Sequence, residues 1–82
     1  MMDINVRVFG GVKDIVGSDR ILLRVPESGT TGDLLRMLVT RFPELEAWKN
    51  SIRVAVNQDY MSEEVPVSPD DEVAIIPPVS GG

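Results

Sequence analysis

The sequence predicts a small two-layer α+β domain. Three observations carry that prediction. The stretch Ile4-Asn5-Val6-Arg7-Val8-Phe9 alternates with period two, the pattern of a half-buried strand. Leu34, Leu35, Leu38, Val39 and Phe42 recur at helical spacing, the pattern of one amphipathic helix. Further apolar runs of strand length follow, at 52–56 and 72–76. One long helix must bury its apolar stripe against one sheet, which gives two layers.

The elements follow in order. In the first strand Ile4, Val6 and Val8 share one face, and Asn5, Arg7 and Phe9 share the other. Gly10-Gly11 breaks it. Val12 to Val16 is expected to form a short helical turn, with Gly17 as its stop. Ser18-Asp19 is a turn. Ile21-Leu22-Leu23-Arg24-Val25 is a second strand, ended by Pro26. Thr30-Thr31-Gly32-Asp33 has the form of a capping box, so the main helix spans roughly 31–41 and ends at Phe42-Pro43. Pro43 to Trp48 fits one further turn with Pro at its start. Ile52 to Val56 is a third strand, closed by Asn57-Gln58. Tyr60-Met61 and Val65-Pro66-Val67 read as short edge pieces, since Pro66 is excluded from a central strand. Ser68-Pro69-Asp70-Asp71 is a turn, and Glu72 to Ile76 is the last strand. The order suits a β-grasp, a mixed sheet packed on one main helix with the last strand beside the first. Residues 1–76 form the domain, and residues 77–82 an extended tail.

Composition narrows function. The chain has 82 residues and a net charge of −5, from eight basic and thirteen acidic residues. That balance repels phosphate backbones, so no nucleic-acid partner is expected; a basic protein partner is more compatible with it. Cys and His are both absent. This removes disulfides, thiolate zinc sites, the Cys nucleophile and the commonest general base. No metal site and no catalysis by the chain alone are expected. The start, Met1-Met2-Asp3-Ile4-Asn5, lacks a basic and then apolar leader, and the run Val73 to Val79 is too short to span a bilayer. No membrane association and a cytoplasmic location are therefore expected.

Several features have plain structural readings. Gly10-Gly11 lacks the partners of a phosphate loop and is a strand-to-helix turn. Glu63-Glu64 and Asp70-Asp71-Glu72 lack the alternation of a calcium loop and read as solvated surface. Lys13 and Lys49 read as exposed cations. Phe9, Tyr60 and Ile76 are different. Strand parity turns Val73 and Ile75 inward and Ala74 and Ile76 outward, beside Phe9. With Tyr60 they form an apolar cluster on the back of the sheet, the mark of a protein-protein surface.

The last residues, Pro77-Pro78-Val79-Ser80-Gly81-Gly82, carry the chemistry. The prolines fix φ and favour an extended path. Six residues reach ~20 Å at about 3.3 Å each, enough to enter a deep pocket of another protein. The glycines are thin, so the terminal acyl group is unhindered. A stiff base with a bare tip suits delivery of that group.

These residues resemble a family, the ubiquitin-like sulfur carriers of the MoaD/ThiS type, and most closely the MoaD-like small subunits of molybdopterin synthase. Asp71-Glu72-Val73-Ala74, the tail from Pro77 to Gly82, Val54-Ala55-Val56-Asn57-Gln58, and the segment from Phe9 to Val16-Gly17 carry the likeness. It covers essentially the whole chain. Asp70 stands where the family often has Gly, and Ile75-Ile76 where it often has an aromatic pair; the second departure alters the shape of the partner surface.

The resemblance implies a role. An E1-like adenylating enzyme, using ATP and magnesium, activates the Gly82 carboxylate. A sulfur donor protein then converts it to a thiocarboxylate. The tail, Pro77, Pro78, Val79, Ser80 and Gly81, inserts into a MoaE-like large subunit, where Gly82 gives sulfur for the dithiolene of molybdopterin. No cofactor is bound by this chain itself. Three other readings compete. A ThiS-like carrier for thiamine thiazole would use the same tail, but those carriers tend to be shorter and join their first strands by a tight hairpin. A ubiquitin-like modifier would pass the activated carboxylate to lysines. A plain β-grasp interaction module would leave the tail idle.

Overall fold

The structure, a computed structural model, describes residues 1–61 and 63–77. The chain runs β1 (Met2–Val8), α1 (Gly10–Val16), β2 (Arg20–Val25), α2 (Thr31–Arg41), a 3₁₀ helix (Pro43–Trp48), β3 (Arg53–Val56), β4 (Asp59–Met61) and β5 (Val73–Ile76). The five strands form one sheet in the order β2-β1-β5-β3-β4. β1 and β5 pair in parallel at its centre, and every other pairing is antiparallel. This is the β-grasp arrangement, a mixed sheet with the last strand beside the first.

Alternation decides which face is covered. Ile4, Val6, Val8, Leu23, Val25, Val73 and Ile75 are fully buried on the inner face. α2 lies over that face, chiefly against β2 and the 3₁₀ helix, and adds Leu34 and Leu38. Each such side chain contributes about 1.5–3 kcal/mol of burial. Val12 from α1 and Leu45 from the 3₁₀ helix, two elements in contact with each other, add to the same core.

The helix ends obey local rules. Thr30 Oγ1 accepts from the Asp33 N–H at 3.3 Å, and Asp33 Oδ2 accepts from the Thr30 N–H at 2.9 Å, the reciprocal pair of a capping box. Arg36 reaches back one turn to Asp33. α1 ends at Gly17, with φ +85°, where only glycine is free of strain. The hairpin between β3 and β4 turns through Asn57 and Gln58, both with positive φ, the twist that a two-residue hairpin needs.

Several boundaries differ from expectation. α1 begins at Gly10 rather than Val12, because Phe9 stays extended and serves as its N-cap residue. Val65–Val67 does not add an edge strand. Pro66 makes a single bridge to Thr30, and Val67 turns into the core, so this segment ties down the start of α2 instead. Glu64 joins the same contact and accepts from the Thr30 hydroxyl, so it is more than a solvated charge.

Candidate functional site: the outer face of the sheet

The face of the sheet away from α2 carries the side chains of opposite parity. Register places Arg7 beside Ala74, Ala74 beside Ala55, and Ala55 beside Tyr60. One row thus crosses four strands. Its centre is two alanines, whose short side chains leave a low floor. Phe9, Ile76, Tyr60, Arg7, Gln58 and Glu72 stand around that floor and enclose a shallow depression of about 330 Å³.

The three residues expected to form a partner surface, Phe9, Tyr60 and Ile76, are brought together here. Tyr60 is 64% exposed and Phe9 40% exposed. Large aromatic side chains left open around a concavity are the usual anchors of a protein interface. Met61, by contrast, turns inward and packs on the core, as parity requires.

Charge on this face is mixed. Arg7, Arg20, Arg24 and Arg53 all point outward from their strands, and Asp3, Asp70, Asp71 and Glu72 stand among them, the last three in a depression shared with Arg7 and Arg20. Arg24 is held by Asp3 at 2.9 Å, and this contact lowers the Asp3 carboxyl below its ordinary range. Among the described residues, Arg7, Arg20 and Arg53 have no carboxylate oxygen within 4.0 Å. Arg7 instead lies over the Phe9 ring, 5.7 Å from its centroid, a favourable cation–π distance. The net charge suggests a basic partner; this face, with four arginines and four acids, is close to neutral. A whole-chain sum hides such unevenness. The signal was present in the sequence as an Arg at alternate positions of three separate strands, but only the register joins them.

Pro77 follows Ile76 and is half-buried. Its ring lies against Gly10. Gly82 and the rest of the expected tail, Pro78 to Gly81, lie outside the described residues. No helix among the described residues is long and apolar enough to cross a membrane. Among the same residues no three His, Cys, Asp or Glu side chains are grouped to hold a metal ion.

Comparison with known proteins adds what geometry alone does not. The profile of the ThiS family matches residues 6–82, and the match runs through Gly82. The chain belongs to the ThiS family. Among its relatives, the molybdopterin synthase sulfur carrier subunit of Arabidopsis thaliana is 36% identical over 81 residues, covering 99% of this chain and 84% of that one. The subunit of the same name from Dictyostelium discoideum is 36% identical over 80 residues, covering 94% of this chain and 93% of that one. Among solved structures, small archaeal modifier protein 1 from Haloferax volcanii superposes with a TM-score of 0.82 at 28% identity, covering 99% of this chain and all of that one. This ThiS-family chain is therefore similar over nearly its whole length to molybdopterin synthase sulfur carrier subunits, and it shares its fold with small archaeal modifier protein 1.

Proposed function

We propose that this chain is the sulfur carrier subunit of a molybdopterin synthase. The observation that carries the reading is the near-full-length likeness to subunits of that name, with a family match that runs through Gly82. The Gly82 carboxylate is the reacting group. It attacks the α-phosphorus of ATP on an E1-like adenylating enzyme, which supplies the magnesium, and pyrophosphate leaves. The acyl adenylate is then open to hydrosulfide delivered by a donor protein: the C–S bond forms, the C–O bond to AMP breaks, and the S–H proton is lost. The resulting thiocarboxylate is a soft, strong nucleophile.

The division of labour suits this composition. A chain without His or Cys carries the acyl group, and its partners provide acid, base and electrostatic stabilisation. The depression bounded by Phe9, Tyr60 and Ile76 docks a large catalytic subunit, and the tail from Pro77 to Gly81 enters that subunit's pocket. Reconstitution tests this: thiocarboxylated chain, a large subunit and a cyclic pterin precursor are combined, and dithiolene formation is followed. Full-length chain supports it. Chain lacking Gly82 supports none while melting at the same temperature. Product formation without Gly82 contradicts the reading.

A second reading rests on the fold likeness to small archaeal modifier protein 1. Here the activated Gly82 passes to lysine amines instead. Conjugates of this chain on many proteins in a lysate, removed by deleting Gly82, support it.

A further inference from the structure

We propose that Gly10 is a positioning residue for the C-terminal segment: its bare Cα forms the seat for the Pro77 ring, and that seat sets the direction in which the chain leaves β5. The inference rests on the proposed role of the tail and deepens it.

The seat follows from register. Val8 and Ile75 are partners across the parallel seam. In parallel strands the chains advance together, so Gly10 and Pro77, each two residues further on, arrive at the same place. Gly10 holds φ +55°, and a Cβ on it would stand 3.0 Å from Pro77 Cγ. Both properties select glycine. The next residue is as tightly placed on its other side. A Cβ on Gly11 would stand 2.8 Å from Trp48 Cη2, and Trp48 ends the 3₁₀ helix packed against the core. The Gly10-Gly11 step is thus held between two rings, one anchored in the core and one at the root of the tail. The plain strand-to-helix turn read from the sequence gains a second task.

The root matters because error grows with distance. Gly82 lies five residue steps beyond Pro77, about 17 Å when extended. With the body docked through the outer face, a tilt of ~10° at Pro77 displaces the tip by about 3 Å. Misplacement of about 1 Å can already cost a hundredfold in rate.

The test uses the full chain in ATP–pyrophosphate exchange, catalysed by the E1-like enzyme of the same cell. Gly10→Ala raises KM for the chain by about tenfold, with kcat within roughly twofold. Gly17→Ala is the control. Gly17 has φ +85° with nothing within 4 Å, so the variant carries the backbone strain without the collision, and its KM stays at the wild-type value. Pro77→Ala removes the ring and raises KM by about threefold. Gly10→Ala with Pro77→Ala returns to the Pro77→Ala value, because no ring is left to strike. An unchanged KM in Gly10→Ala overturns the proposal, as does a double variant no better than Gly10→Ala. Should Gly10→Ala fail to fold, an unchanged KM in Pro77→Ala overturns it equally.

Exchange absent from the wild-type chain sinks the carrier reading instead. The seat is then decided by NMR on the same proteins. A nuclear Overhauser contact between Gly10 Hα and the Pro77 ring, lost in Gly10→Ala while core amide shifts stay fixed, supports it; no contact in the wild type overturns it.

Discussion

Val8 and Ile75 face each other across the parallel seam of the sheet, and both are buried. That pairing fixes the neighbours of everything after them. Phe9 and Ile76 emerge together on the outer face, and Gly10 and Pro77 meet just beyond. The candidate docking surface and the root of the tail therefore share one seam, built from two strands at opposite ends of the chain.

Tyr60 gives the cleanest probe of that surface, because most of it is exposed and the core does not depend on it. Tyr60→Ala is expected to weaken binding of a large subunit by about 2 kcal/mol, roughly thirtyfold. Folding stability changes by less than about 1 kcal/mol, the span of strand propensities. Titration calorimetry and urea denaturation measure the two. Equal affinity in wild type and variant means that the partner binds elsewhere.

The outward arginines make a kinetic prediction. Arg7, Arg20 and Arg53 make no close ion pair among the described residues, so they can pair with carboxylates of a docked partner. Stopped-flow association should slow as salt rises, while dissociation changes little. Arg20→Glu should reduce the salt effect. Association insensitive to salt contradicts pairing of these arginines with carboxylates of the partner.

Acid unfolding should report on the start of α2. The Arg36 guanidinium, followed by the Thr30 N–H, holds the Asp33 carboxyl below its ordinary value. The unfolded chain, with the ordinary pKa of about 3.9, binds the proton first as pH falls. The stabilisation from Asp33 is thus complete above that value and is lost as pH drops through it towards the lower folded pKa. Asp33→Asn keeps an acceptor for Thr30 but cannot titrate. Urea midpoints measured from pH 5 to pH 2 should fall less steeply in the variant. Identical slopes would show that Asp33 is not the group responsible.

Much of this was legible in the sequence, and the reason is locality. The alternation of residues 4–8, the helical spacing from Leu34 to Phe42, the Thr30/Asp33 capping box and the Gly17 stop each depend on neighbours within a few residues. What stayed hidden depends on partners far along the chain. Val65-Pro66-Val67 has the composition of an edge piece, yet its partners are the Thr30 backbone and the core. Gly10-Gly11 reads as a simple turn until Trp48 and Pro77 close on either side. Phe9, Tyr60 and Ile76 fell in between. Parity placed Phe9 and Ile76, while Tyr60 needed the β3–β4 register.

The β3–β4 hairpin is improvable. Gln58 sits at φ +73°, a region costly for a residue with a Cβ, where two-residue turns favour Asn-Gly. Gln58→Gly should raise stability by about 0.5–1 kcal/mol, the relief of strain less the added chain entropy. A higher urea midpoint with an unchanged slope would confirm it, and a lower midpoint would mean that the Gln58 side chain contributes more than its backbone costs.

The central claim is that Gly82 carries sulfur, and intact-protein mass spectrometry tests it most directly. The chain is incubated with ATP, magnesium, an E1-like adenylating enzyme and a sulfur donor. Exchange of one terminal oxygen for sulfur should add about 16 Da, localised to the C-terminal peptide and absent when Gly82 is deleted. A chain that keeps its original mass under active adenylating enzyme and donor would contradict the carrier role.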